Sequence, residues 1–88
     1  MLIRVFTHPV CTTCPTAIRM AQQVAGRYPD VEVRVISLGS RQGREEAKRE
    51  GVLSVPTILV GQRRFVGVPA WEELLQAVEA ERAADREA

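Results

Sequence analysis

Leu2-Ile3-Arg4-Val5-Phe6 is a short run of β-branched and aromatic residues that leads through Thr7-His8 to Pro9, where a ladder must stop. A strand is predicted there. Between residues 15 and 27, Ala17, Ile18, Ala21, Val24 and Ala25 recur at steps of three and four, and Gly26, Pro29 and Asp30 punctuate the end. This spacing predicts a helix. Val31, Val33 and Val35 then alternate with Glu32 and Arg34 before Ile36 and Leu38, a period of two with one partly wet face, as at a sheet edge. Ser40 is placed to cap a helix running to Glu50, with Gly43 weakening it and Ala47 as its sole apolar anchor. Thr57-Ile58-Leu59-Val60 and Arg63-Arg64-Phe65-Val66 flank Gly61-Gln62, whose leading glycine suits a type II′ hairpin. Trp71, Leu74, Leu75 and Val78 form the apolar stripe of a last helix, opposed by Glu72, Glu73, Gln76 and Glu79.

The resulting order is β-α-β-α-β-β-α, without repeats or linkers. A strand–helix–strand unit implies a right-handed crossover and a parallel pair, and the hairpin adds an antiparallel half to the same sheet. The fold class is α/β, a four-stranded mixed sheet between helices. The 88 residues, 45% hydrophobic, fit a single domain over 1–88, with residues 84–88 expected as a frayed Ala/Glu/Arg tail. A net charge of +1 supplies no field for a polyanion, so neither nucleic acid nor an anionic membrane surface is an expected partner. No apolar run approaches the roughly 18 residues of a membrane span, and the charged N-terminal segment does not resemble a signal peptide. A soluble, cytoplasmic monomer is expected.

Cysteine is the informative residue type. Cys11 and Cys14 are the only two, and random placement would set two cysteines at this separation in only about 2% of cases, so the spacing asks for a chemical reason. A disulfide across so short a loop stabilises little, because loop-closure entropy grows with loop length. Cys11 follows the first strand and precedes the first helix, where free N–H groups and the helix dipole favour a thiolate. Such cysteines have pKa values of roughly 3.5 to 7.5, against about 8.5 for a free thiol. Cys14, one turn on, is placed to resolve a mixed disulfide formed at Cys11. Two other uses of the pair stay open at this level: a metal or iron–sulfur site shared between two chains, and a non-catalytic peptide-binding adaptor. A closed zinc site within one chain is poorly supported, since His8 is the one other soft ligand.

Cys11-Thr12-Thr13-Cys14 after the first strand and Ser54-Val55-Pro56-Thr57 before the hairpin resemble the two motifs of the thioredoxin/glutaredoxin superfamily, and the resemblance spans nearly the whole chain. It implies a thioredoxin fold and a thiol–disulfide oxidoreductase that works without a bound cofactor, its electrons residing on the Cys11–Cys14 dithiol. It further implies a cis Pro56 packed against the cysteines, a Val55 backbone that holds the substrate as an added strand, and a role for Gly67 near the site. Implied partners are protein disulfides and a reductant, either a thioredoxin-reductase-like protein or a small thiol. The chain departs from thioredoxins in carrying Val10 where they keep Trp, Thr12-Thr13 where they keep Gly-Pro, and Val5-Phe6 where they keep a buried acid. It departs from glutaredoxins in lacking Pro-Tyr between the cysteines and the Gly-Gly-acid segment used for glutathione. The small, glutaredoxin-sized thioredoxin-like proteins of bacteria and archaea are most similar.

Three neighbours of the cysteines have two readings each. Thr12 and Thr13 set the backbone donors facing the sulfur, and their hydroxyls either donate to it or cap the helix. His8 either stabilises the thiolate and relays a proton, or is a solvated spacer. Arg63 and Arg64 read as a solvated face, and Trp71 as a core anchor.

Overall fold

The computed structural model describes residues 1–87, with side chains through residue 85. Its elements are β1 (Leu2–Thr7), α1 (Cys14–Ala25), β2 (Glu32–Ser37), α2 (Arg41–Glu50), β3 (Thr57–Val60), β4 (Arg63–Val66) and α3 (Trp71–Glu87). The sheet order is β2-β1-β3-β4, with β1 parallel to β2 and antiparallel to β3, and β3 antiparallel to β4. This is the mixed four-stranded sheet that the pattern predicts, and β2 lies at its edge as expected.

Alternation along the strands divides the core between the two faces of the sheet. Ile3 and Val5 of β1 join Ile58, Val60 and Phe65 under Ala17, Ala21 and Val24 of α1 and Leu74, Ala77 and Val78 of α3. Phe6, Ile36 and Leu59 point the other way, toward Ala47 of α2 and Val52. Trp71 packs against the larger cluster, with the Arg27 guanidinium 5.2 Å from its ring centre, which is the anchoring role read from its stripe. Gly61 opens the hairpin at φ +57, a conformation glycine adopts freely, while Gln62 keeps a negative φ, as a type II′ turn requires.

Helix boundaries differ from the apolar spacing. α1 begins at Cys14 and ends at Ala25, two residues short of Arg27, because Arg27 and Tyr28 turn their N–H groups back to Val24 and Ala25 in tight turns. Helix α3 continues through residues 84–87, where the composition suggests a frayed tail; residue 88 lies outside the described residues.

Helix α2 is better held than its single apolar anchor implies. Ser40 caps it by accepting the Gly43 N–H at 3.0 Å. Gly43 is buried, and a Cβ there would run into the Ser37 carbonyl, so the residue that lowers helix propensity also lets α2 approach the end of β2. Arg4 on β1 reaches Glu46 and Glu50 at 3.2 Å each, and Arg34 on β2 reaches Glu46 at 3.3 Å. Arg64 donates to the carbonyls of Glu50 and Gly51, placing a cation at the negative end of the α2 dipole. Arg64 is thus a helix-terminating contact rather than part of a merely solvated face.

A second charged contact joins α3 to the loop after α1. The Arg82 Nε donates to both Asp30 oxygens at 3.2 and 3.1 Å, and its guanidinium lies 4.2 Å from the Tyr28 ring centre. The hydrogen bond from Arg82 holds the Asp30 carboxyl below the usual carboxylate range. A depressed folded-state value contributes stability that is present above the unfolded-chain value, about 3.9, and is lost as the pH falls through the folded one. Asp30→Asn is therefore expected to lower the urea midpoint at neutral pH, with the gap from the wild type closing below about pH 3.9. A gap independent of pH would contradict this assignment.

Candidate functional site

The site lies where β1 hands over to α1. Cys11 is half-buried at the end of the connecting loop, Cys14 is the buried first residue of the helix, and the two are joined as a disulfide with their Cα atoms 5.5 Å apart. Pro15 follows Cys14 in the first turn, where its missing N–H has no intrahelical acceptor to disappoint. The Cys14 N–H donates to the Cys11 Sγ at 3.1 Å, so the sulfur occupies the position of a capping oxygen. Thr13, the residue preceding the helix, makes no capping hydrogen bond with its side chain; its Oγ1 lies 3.8 Å from the Cys11 Sγ instead. Of the two readings of the Thr13 hydroxyl, the geometry selects contact with sulfur. No acidic residue occupies the first turn of α1, so the positive end of its dipole is not neutralised by a carboxylate of that turn.

The Val55–Pro56 peptide bond is cis, as the family resemblance implies. His8, Val10, Cys11, Thr12, Thr13 and Val55 together line an open groove of about 370 Å³. Pro56 itself is buried and is not among the lining residues, and its carbonyl accepts the Gly67 N–H at 2.8 Å. Gly67 therefore contacts the Pro56 backbone rather than the groove wall. None of the six lining residues carries a carboxylate or an aliphatic cation. Val10 enters the wall with its side chain 80% exposed, a role sequence reasoning missed beyond noting that it stands in place of a tryptophan. Position alone, directly before the first cysteine, is the signal that would have found it. Val5 and Phe6 are fully buried where thioredoxins keep an acid. Among the described residues, no three His, Cys, Asp or Glu side chains gather as a metal-binding group.

Sulfur of this kind exchanges: a thiolate displaces one sulfur of a disulfide, and a second thiol displaces the first. The fold on which this pair sits matches thioredoxin 1 of the thermophilic eubacterium Thermosipho africanus TCF52B with a TM-score of 0.77, over 98% of this chain and 99% of that one, at 20% identity. Fold and cysteine pair together define the class, proteins of thioredoxin fold with a paired-cysteine centre. Sequence comparison narrows it. The thioredoxin of Methanocaldococcus jannaschii is 38% identical over 78 residues, covering 86% of this chain and 89% of that protein. A probable thioredoxin of Methanothermobacter thermautotrophicus is 38% identical over 80 residues, covering 90% and 93%. The sequence model of the thioredoxin domain family matches residues 1–79, and the chain belongs to that family.

Proposed function

We propose that the protein reduces disulfides of other proteins, with Cys11 as the attacking thiolate and Cys14 as the resolving thiol. The observation that carries this reading is the Cys14 N–H donating to the Cys11 Sγ at 3.1 Å, at a helix start without an acidic residue. The sulfur is half of a disulfide in this structure; on reduction the same N–H faces the Cys11 thiolate, and a hydrogen bond to the charged form and the helix dipole both favour it.

In the reduced protein the Cys11 thiolate attacks one sulfur of the substrate disulfide. The substrate S–S bond breaks, its other sulfur leaves as a thiolate and takes a proton, and a mixed disulfide remains on Cys11. Cys14 then loses its proton and attacks the Cys11 sulfur, releasing the second substrate thiol and forming the Cys11–Cys14 disulfide. Two electrons pass from the cysteine pair to the substrate, one proton comes from Cys14 and the other from solvent, which had received it when Cys11 ionised, and no bound cofactor is needed. A thioredoxin-reductase-like protein or a small thiol restores the dithiol. The potential falls in the range from thioredoxin to disulfide isomerase, about −270 to −180 mV.

The substrate chain lies beside Pro56 along the Val55 backbone, with Thr12 and Thr13 flanking the reacting sulfur and Gly67 supporting Pro56 from behind. Val10 and Val55 in the groove wall, with Leu53 97% exposed two residues before Val55 in the chain, favour disulfides set in apolar rather than charged surroundings. The protein acts as a cytoplasmic monomer. Turnover of insulin disulfides with dithiothreitol as reductant tests the proposal: catalysis above the rate of dithiothreitol alone is expected, and its absence in the wild type would remove the reading.

A further inference from the structure

We propose that His8 is a positioning residue for this exchange, its imidazole holding the turn that delivers Cys11 to the start of α1. The inference rests on the oxidoreductase reading of the cysteine pair. His8 closes the turn twice: its carbonyl accepts the Cys11 N–H at 3.0 Å, and its ring Nδ1 accepts the Val10 N–H at 3.3 Å. Pro9, between them, sits against the β2–α2 loop so closely that a Cβ on Gly39 would stand 2.9 Å from its Cγ. Ring, backbone and proline thus brace one three-residue step that ends at the reactive sulfur.

In this arrangement the same hydrogen bond occupies the Nδ1 lone pair with the backbone rather than with either cysteine. A neutral imidazole has one lone pair, and with Nδ1 accepting from Val10 the ring proton resides on Nε2. No free acceptor remains to take a proton from either cysteine. The contact also depends on the ring being neutral, because a protonated Nδ1 becomes a donor and must release the Val10 N–H.

Asparagine separates positioning from ring chemistry, since its side-chain oxygen can accept an N–H two residues on and does not titrate. The experiment measures alkylation of Cys11 by iodoacetamide in the reduced protein, together with insulin turnover, for the wild type, His8→Asn and His8→Ala. At about pH 8, His8→Asn is expected to react within about twofold of the wild type. His8→Ala, lacking the acceptor, is expected to react about three- to tenfold more slowly. An alanine variant that reacts at the wild-type rate, or an asparagine variant as slow as alanine, overturns the proposal. Should the alkylation pattern hold while the wild type leaves insulin disulfides intact, the positioning role stands and the oxidoreductase reading fails instead.

Discussion

Cys11→Ser is expected to bring insulin-disulfide turnover down to the rate of dithiothreitol alone, whereas Cys14→Ser should stall one step later and accumulate a mixed disulfide on Cys11. The two cysteines differ in surroundings, and the difference sets the order of events. Cys11 is half-buried in the groove wall, and its sulfur accepts the Cys14 N–H at 3.1 Å; Cys14 is 3% exposed. An incoming disulfide meets Cys11 first. A hydroxyl in its place retains the shape but is a far weaker nucleophile at neutral pH, so the first bond never forms. In Cys14→Ser the first bond forms and nothing inside the protein can displace it, so the captured molecules identify both the substrates and the reductant. Non-reducing electrophoresis and mass spectrometry read the outcome. Residual turnover in Cys11→Ser, or adducts that survive its removal, would reassign the nucleophile.

Phe6→Ala should be the most damaging single core substitution on the α2 side of the sheet. Phe6 is fully buried in a cluster completed by Ile36, Ala47, Val52 and Leu59, with Leu38 packed at its margin. Burying a phenylalanine and then truncating it leaves a cavity that few neighbours here can fill, with a cost of about 3 to 5 kcal/mol. A domain of this size has a total stability of only about 4 to 13 kcal/mol. The urea midpoint should therefore fall steeply, and part of the population should unfold without denaturant if the wild type is at the lower end. The loss acts on function as well, since β1 carries Phe6 five residues ahead of Cys11 and fixes where the loop begins. A destabilisation below about 1 kcal/mol, read from urea unfolding, would mean that this second cluster contributes little.

Much of this architecture was legible from periodicity. The 3.6-residue stripe of Trp71, Leu74 and Val78 reports burial directly, whereas in the valine alternation at β2 Val31 and Val33 join that core and Val35 stays exposed at the sheet edge. Gly61-Gln62 carried its turn type in its own conformational preference. Helix α2 was less legible, because what holds it comes from distant residues. Arg4 and Arg34 bind Glu46 from neighbouring strands of the sheet, and Arg64 donates to the last carbonyls, pairings that only the tertiary fold brings together. Gly43 misled for the same reason: its helix propensity is local, while its closeness to Ser37 is tertiary. At the site, the cysteine spacing and its position before a helix spoke for themselves, whereas the cis Val55–Pro56 bond was reached through family resemblance and not from any local signal. The roles of Thr13 and His8 turned on which way single side chains point, which no spacing encodes.

The most direct test of the account is the ionisation of Cys11 itself. Reduced Cys14→Ser protein leaves a single thiol and retains the backbone N–H at position 14, so the rate of iodoacetamide alkylation against pH follows one sulfur in its own environment. A midpoint below about pH 7.5, with appreciable thiolate at neutral pH, is the predicted result. A midpoint at or above the ordinary thiol value of about 8.5 would show that the start of α1 does not activate the sulfur, and would contradict the mechanism built on it.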